Sequence, residues 1–289
     1  MFAKKLLVLV AVLAVTTMAC GLTIDIPITT DIKTGPTVKE EILVPDPGND
    51  DEPLTVEINF GAGELSIDSG ADALIEGTAI YNVEDFSPEI KKSDNNVEIS
   101  TGNLDIDGFP KFVNRIINEW ELRLSDRLMD LRVFAGAYKG DLELGGLSLS
   151  NLRIADGAAE VNVNFEELNQ VEMGSFRYDT GASSVTLSNL GNANFHSLTF
   201  QGGAGSYELD FSGDLQNDAS AVIQTGLSEL KIFVPDDLDV RVRVESGLAN
   251  INTLGGWAQS GSTYTHKGDG PTLDITIELA AGNLRLESH

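Results

Sequence analysis

The sequence predicts an all-β fold: a right-handed single-stranded β-helix (β-solenoid) carrying one short helix, with a two-sheet β-sandwich as the alternative. Three observations lead there. Apolar residues recur with period two through most of the chain, as at Leu54, Val56, Ile58 and Phe60, at Leu131 and Val133, and at Val161, Val163 and Phe165; that is the period of a strand with one buried face. A turn of glycine and small residues running into a strand then repeats, as Gly61-Ala62-Gly63-Glu64-Leu65-Ser66-Ile67, Gly157-Ala158-Ala159-Glu160-Val161 and Gly203-Ala204-Gly205-Ser206-Tyr207. The turns at Gly136, Gly157, Gly181, Gly203, Gly226 and Gly247 are separated by 21, 24, 22, 23 and 21 residues, and a near-constant period of this size marks stacked units. Finally, one cysteine and 42% hydrophobic residues leave stability to packing and strand ladders, not disulfides.

A unit of this length holds two or three very short strands, enough for one coil whose strands pair with their equivalents one coil above. Glycine is expected at the corners for its access to positive φ. A sandwich also has short strands and glycine turns, but it does not call for even spacing of one signature.

Taken in order, residues 1–19 have the anatomy of an export signal: Lys4 and Lys5, an apolar run over residues 6–15, and a small polar close. The run is too short to span a bilayer, which needs about 20 apolar residues. Cys20 follows directly, and Thr17-Met18-Ala19-Cys20-Gly21 resembles the bacterial lipobox, with Thr17 where leucine is commonest. The resemblance implies lipidation of Cys20; several acyl chains at ~0.8 kcal/mol per CH₂ give a stable anchor. The expected address is therefore extracytoplasmic, on the bacterial cell membrane or the outer membrane. Residues 20–53 bear Pro27, Pro36, Pro45, Pro47 and Pro53 and read as the lipidated cysteine with a flexible tether.

Residues 54–118 read as an N-terminal β segment that includes a short helix over 109–119. There Pro110 suits a first helical turn, and Phe112, Val113, Ile116, Ile117 and Trp120 fall at helical spacing. Residues 119–289 read as the repetitive solenoid domain. Within it the register places Tyr207, Leu209 and Phe211 on one face, with Glu208 and Asp210 on the other.

Several stretches resemble the bacterial toast-rack and LiaF-like exported domains, also labelled candidate adhesins: Trp120-Glu121-Leu122-Arg123-Leu124, Gly146-Leu147-Ser148-Leu149, Val234-Pro235-Asp236-Asp237-Leu238 and Ala281-Gly282-Asn283-Leu284-Arg285-Leu286. The likeness runs over residues 54–287. It implies a β-helical envelope domain, with relatives tied to sensing of cell-envelope stress, and it brings no catalytic residues.

The formal charge is −26, and removal of residues 1–19 takes Lys4 and Lys5 and no acid, moving it to −28. Such a surface repels phosphate backbones, so nucleic acid is excluded as a partner. Envelope proteins, glycans or cationic peptides, along with the membrane reached through the lipid anchor, are the expected partner classes; oligomeric state is left open.

Asp179-Thr180-Gly181 matches the catalytic loop of aspartic proteases, but Gly181 is in register with the other repeat glycines, which makes it a corner. His196, His266 and His289 are far apart and lack zinc-ligand spacing. Asp105-Ile106-Asp107-Gly108 lacks the closing glutamate of a calcium loop. No metal, cofactor or catalytic residue is expected, with weak calcium binding at acidic corners left open. The function expected is a membrane-anchored interaction, adhesion or envelope-stress-sensing module without catalysis. Its rival is a polysaccharide-processing enzyme on the same scaffold, with Tyr178, Tyr207, Trp257 and Tyr264 as aromatic residues that could stack on sugars.

Overall fold

The computed structural model describes residues 29–31, 34–48, 53–102, 109–111 and 115–289. The signal segment, Cys20, and the Asp105-Ile106-Asp107-Gly108 run lie outside the described residues. The chain forms two units. In Met1–Lys33 with Asp105–Arg115, the described part is β1 (Thr29–Asp31) paired in parallel with β7 (Phe109–Lys111). Thr34–Leu104 with Ile116–His289 contains everything described below.

Eight strands of 15 to 17 residues build that unit: β3 (Leu54–Ser69), β9 (Met129–Glu143), β10 (Leu149–Asn164), β11 (Met173–Ser188), β12 (Phe195–Asp210), β13 (Ala219–Val234), β14 (Asp239–Leu254) and β17 (Thr272–Ser288). Each is one coil of a β-solenoid, so a coil is a single long strand bent at its middle and not the two or three short strands that the spacing predicts. All eight pair in parallel, with a single shift of register between Leu149 and Asn151 where β10 meets β9. One inward rung passes through Val56, Leu131, Leu152, Phe176, Leu198, Ala221, Ile275 and Val242, each no more than 2% exposed. Burial of each larger side chain on such a rung contributes about 1.5–3 kcal/mol. Tyr207, Leu209 and Phe211 are buried together, with Glu208 and Asp210 turned outward, as the alternation predicts.

The bend explains the repeating glycine, by a cause different from the expected one. Gly136, Gly157, Gly181, Gly203, Gly226 and Gly247 do not have positive φ. Instead, a Cβ at Gly157 would lie 2.8 Å from the carbonyl oxygen of Gly136, one at Gly181 2.3 Å from that of Gly157, and one at Gly203 2.5 Å from that of Gly181. These six corners nest, and each is glycine because the carbonyl of an adjacent coil occupies the place of its side chain; in β17 the corner residue is Ala280, level with Gly226 and Gly247.

Coil order departs from chain order at both ends. The neighbours run β3, β9, β10, β11, β12, β13, β17, β14, so the last strand is inserted between its two predecessors. At the other end, strands of the same unit from residues 75–101 and 118–124 leave the stack and cover it. β6 (Asn96–Thr101) pairs with one arm of β3 and β8 (Asn118–Leu124) with the other. β4 (Ile75–Tyr81) then adds to β8, β2 (Val38–Val44) to β4, and β5 (Pro88–Ser93) to β6, all antiparallel. The far end carries a hairpin of β15 (Ala258–Ser260) and β16 (Thr263–His266), which pairs with Val240, Arg241, Val242 and Arg243 of β14.

Three expectations are corrected here. Val38–Val44, assigned to the flexible tether of residues 20–53, is a sheet strand with Ile42 and Val44 buried, because its alternation supplies an inward face to the cap. The helix over 109–119 is absent where the structure describes it: Phe109–Lys111 and Asn118–Leu124 are strands, and residues 112–114 lie outside the described set. Asn118, Trp120, Leu122 and Leu124 bury alternate positions while Glu119, Glu121 and Arg123 point away, and Trp120 packs edge-on against Phe60 with ring centres 5.4 Å apart. The boundary between 118 and 119 also disappears, because β3 stacks directly on β9 within one unit. The only helical turns among the described residues are the short 3₁₀ segments Glu84–Phe86 and Leu190–Ala193.

Candidate functional site

The polar groups that the fold gathers lie on the two sides of the glycine corner. On the inner side, alternation turns Asp156 toward the core with Leu152 and Ile154. It accepts hydrogen bonds from the hydroxyls of Tyr178 (2.7 Å), Thr180 and Ser183 (3.4 Å). The Thr180 and Ser183 hydroxyl oxygens lie 2.7 Å apart, and Ser183 accepts from the backbone N–H of Ala159 at 3.0 Å. Burial raises the Asp156 carboxyl above its ordinary value, and the three hydroxyl donors pull it partly back. Burial likewise pushes the hydroxyls of Tyr138, Tyr178 and Tyr207 up, so these stay neutral.

The outer side carries a chain of side chains in which coil stacking repeats one position at strand spacing. Arg177 holds Asp179 with two bonds of 2.6 and 2.7 Å, and Arg153 stands 3.8 Å from the same carboxylate. Arg177 also donates to Gln201 at 2.8 Å, Gln201 to Gln224 at 2.7 Å, and Gln224 to Glu278 at 2.9 Å. Arg153 stacks over Phe134, 5.5 Å from its ring centre. The register dictates this geometry: Ala155, Asp179, Gln201, Gln224 and Glu278 occupy one outward position on successive coils. Along it runs a shallow groove floored by Gly181, Gly202 and Gly203, of about 510 Å³.

Chemically, this arrangement ties successive coils together through ion pairs and hydrogen bonds. Bidentate hydrogen bonding to Asp179 raises the Arg177 guanidinium above its ordinary value. Asp179-Thr180-Gly181 is therefore a solenoid corner, with Thr180 spent on Asp156 and Gly181 stacked on Gly157. The three histidines are not brought together: His196 is exposed, His289 packs against Phe233, and His266 is buried against Trp257 with its Nε2 3.4 Å from Asp236. No cluster of three metal-ligating side chains occurs among the described residues. Tyr178, Tyr207 and Tyr264 are buried, so none of them forms an open platform for a sugar. Cys20 lies outside the described residues.

Sequence reasoning missed Asp156 and the glutamine chain. The signal for Asp156 was present, since Leu152, Ile154 and Asp156 share one strand face, whereas the Gln201–Gln224 contact needs the exact offset between coils.

A second continuous feature follows the corner. From Ala62 in β3 to Leu248 in β14, every coil places an alanine or leucine immediately after its corner residue, and the register stacks them into one ridge. Leu227 is 67% exposed and Leu248 82%.

The fold and its corner define a class: a β-solenoid whose repeated glycine turns expose a long ridge and a polar groove. The family described as the N-terminal domain of toast_rack, DUF2154, matches residues 33–188, just over half of the chain, and the chain belongs to that family. No curated protein sequence matches it. Among solved structures, it is similar to a candidate cell adhesion protein from Clostridium sporogenes, at 19% identity and a TM-score of 0.46, over 88% of this chain and all of that one. It is also similar to a candidate adhesin from Bacteroides fragilis, at 10% identity and TM-score 0.38, over 89% of this chain and 99% of that one. A candidate lipid binding protein from Parabacteroides distasonis aligns at 10% identity and TM-score 0.40, over 89% and 99% of the two chains. No helix among the described residues is long and apolar enough to cross a membrane.

Proposed function

We propose that this toast-rack protein is a non-catalytic interaction module of the cell envelope, held on the extracytoplasmic side by a lipid on Cys20 and serving adhesion or the sensing of envelope stress. The observation that carries the reading is the exposed alanine and leucine ridge, which runs the length of the stacked coils, beside a shallow polar groove that crosses the coils from β10 to β13. An extended, open surface of this kind suits a polymer or a protein partner better than it suits an enclosed small molecule. The corner carboxylates support the reading in another way, since Asp156 and Asp179 are both engaged by neighbours that hold the coils together.

Two measurements test it. Metabolic labelling with a fatty acid should mark the wild-type protein and not Cys20→Ser; equal labelling removes the anchor. Co-sedimentation of the purified protein with cell envelopes should fall at least tenfold for Leu227→Asp at an unchanged melting temperature, and should persist for Asp179→Asn. Retention of the Leu227→Asp protein on envelopes at wild-type level would sink the assignment of the ridge.

A further inference from the structure

Four strand edges of the solenoid unit have no strand beside them among the described residues: β2, β5, β15 and residues 245–254 of β14. Natural sheets guard such edges with charge, proline or shortness. β2 carries Lys39, Glu40 and Glu41; β5 carries Pro88, Glu89, Lys91 and Lys92; β15 is three residues long. Beyond Glu245, the β14 edge is guarded by none of these. It carries no lysine or proline, and no charge at all after Glu245, in a chain of net charge −26. The hairpin of β15 and β16 covers only the arm of β14 that precedes the corner.

The arm after the corner is left open, and its core positions show it. Ile251 is half-buried and Thr253 exposed, whereas Leu284 and Leu286, their partners in β17, are fully buried. On the outward face Leu248 is 82% exposed and Leu254 57%. The sequence of this edge is close to a palindrome: Gly247-Leu248-Ala249-Asn250-Ile251-Asn252-Thr253-Leu254-Gly255 reads nearly the same in both directions about Ile251.

We infer that this edge is where a second copy of the chain pairs, antiparallel, about a two-fold axis through Ile251. Antiparallel strands place opposite residues on the same face, and a two-fold contact sets one patch against itself. In this register Leu248 faces Leu254 and Asn250 faces Asn252 on the outer side, while Ile251 meets its own copy and Ala249 meets Thr253 on the inner side. No like charges meet along the strand, and the core positions left open in each copy are closed by the other. The two-fold also places the two hairpins at opposite ends of the joint.

The full chain carrying Cys20→Ser provides a clean background for cross-linking, because Cys20 is the only cysteine. In it, Ile251→Cys should form a disulfide-linked dimer by itself, since directly opposed Cβ atoms stand about 4.5–5.5 Å apart. Leu248→Cys should link efficiently only when mixed with Leu254→Cys. Linking of Ile251→Cys no faster than that of Leu227→Cys, exposed outside the edge, overturns the register. In sedimentation velocity, Asn250→Lys with Asn252→Lys opposes like charges twice and should weaken the dimer roughly tenfold or more at an unchanged melting temperature. A wild-type protein that stays monomeric at the highest soluble concentration leaves the edge to some other occupant and refutes the pairing, as does a lysine variant that dimerises as well as wild type.

Discussion

At the scale of single residues, the corner glycines answer to the neighbouring coil and not to their own backbone. Gly181→Ala should cost about 2–4 kcal/mol, because the new methyl meets a carbonyl oxygen that the parallel ladder holds in place. Gly61→Ala, whose methyl meets only the Thr101 hydroxyl at 3.3 Å, should cost far less. Denaturant unfolding of the two variants checks this, and equal losses would refute the nesting account. Asp156 gives the second prediction. Its folded pKa is raised above the unfolded 3.8, so the folded state holds the proton more tightly, and the carboxylate weakens the fold above that window. The stability that protonation restores is lost as pH rises through the raised value. Asp156→Asn should therefore melt higher than wild type at pH 7, with the gap closing as pH falls toward 4. A gap that widens on acidification would contradict the sign. Of the corner chemistry, alternation alone already turned Asp156 inward; the Arg177, Gln201 and Gln224 chain was hidden because successive coils differ by one to three residues in length, and one slipped residue changes every outward partner.

At the scale of elements, the long strands were legible because each keeps period two on both sides of its glycine. The spacing could not reveal that arm, corner and arm form one continuous strand, since a bend without positive φ leaves the same pattern as a turn. Phe112, Val113, Ile116 and Ile117 also fit a helical stripe, but Trp120, Leu122 and Leu124 belong to β8, where pairing with both β3 and β4 gives the alternation something to bury against. Propensity lost to tertiary pairing there. Val38–Val44 was concealed by the prolines around it. If it is cap and not tether, a protease should spare the bonds within it in the native protein, and a chain beginning at Pro53 should expose the edge of β4 and melt several degrees lower. Equal melting temperatures for the two chains would return this segment to the tether.

On the scale of the whole molecule, parallel stacking makes like charges neighbours. Asp68, Asp141 and Glu143 show the consequence: burial raises the Asp68 carboxyl, and the two other acids raise it further. With 45 acidic against 19 basic residues, repulsion of this kind acts throughout the surface. Moving from about 10 mM to about 300 mM salt shortens the screening length severalfold and should raise the melting temperature; a fall would mean that the scattered ion pairs outweigh the repulsion. The acidic balance was plain in the composition, but its cost depends on which acids share a rung, and that is a property of the register.

The position of β17 between β13 and β14 also sets an order in time. A coil that meets its neighbour in sequence can be laid down as the chain emerges, yet β14 cannot settle against the stack until residues 272–288 arrive and slide in beneath it. The far end of the solenoid is thus closed by residues 272–288, which are made after every other coil, and a chain stopped short of Thr272 would carry a finished front and a terminal coil with no seat.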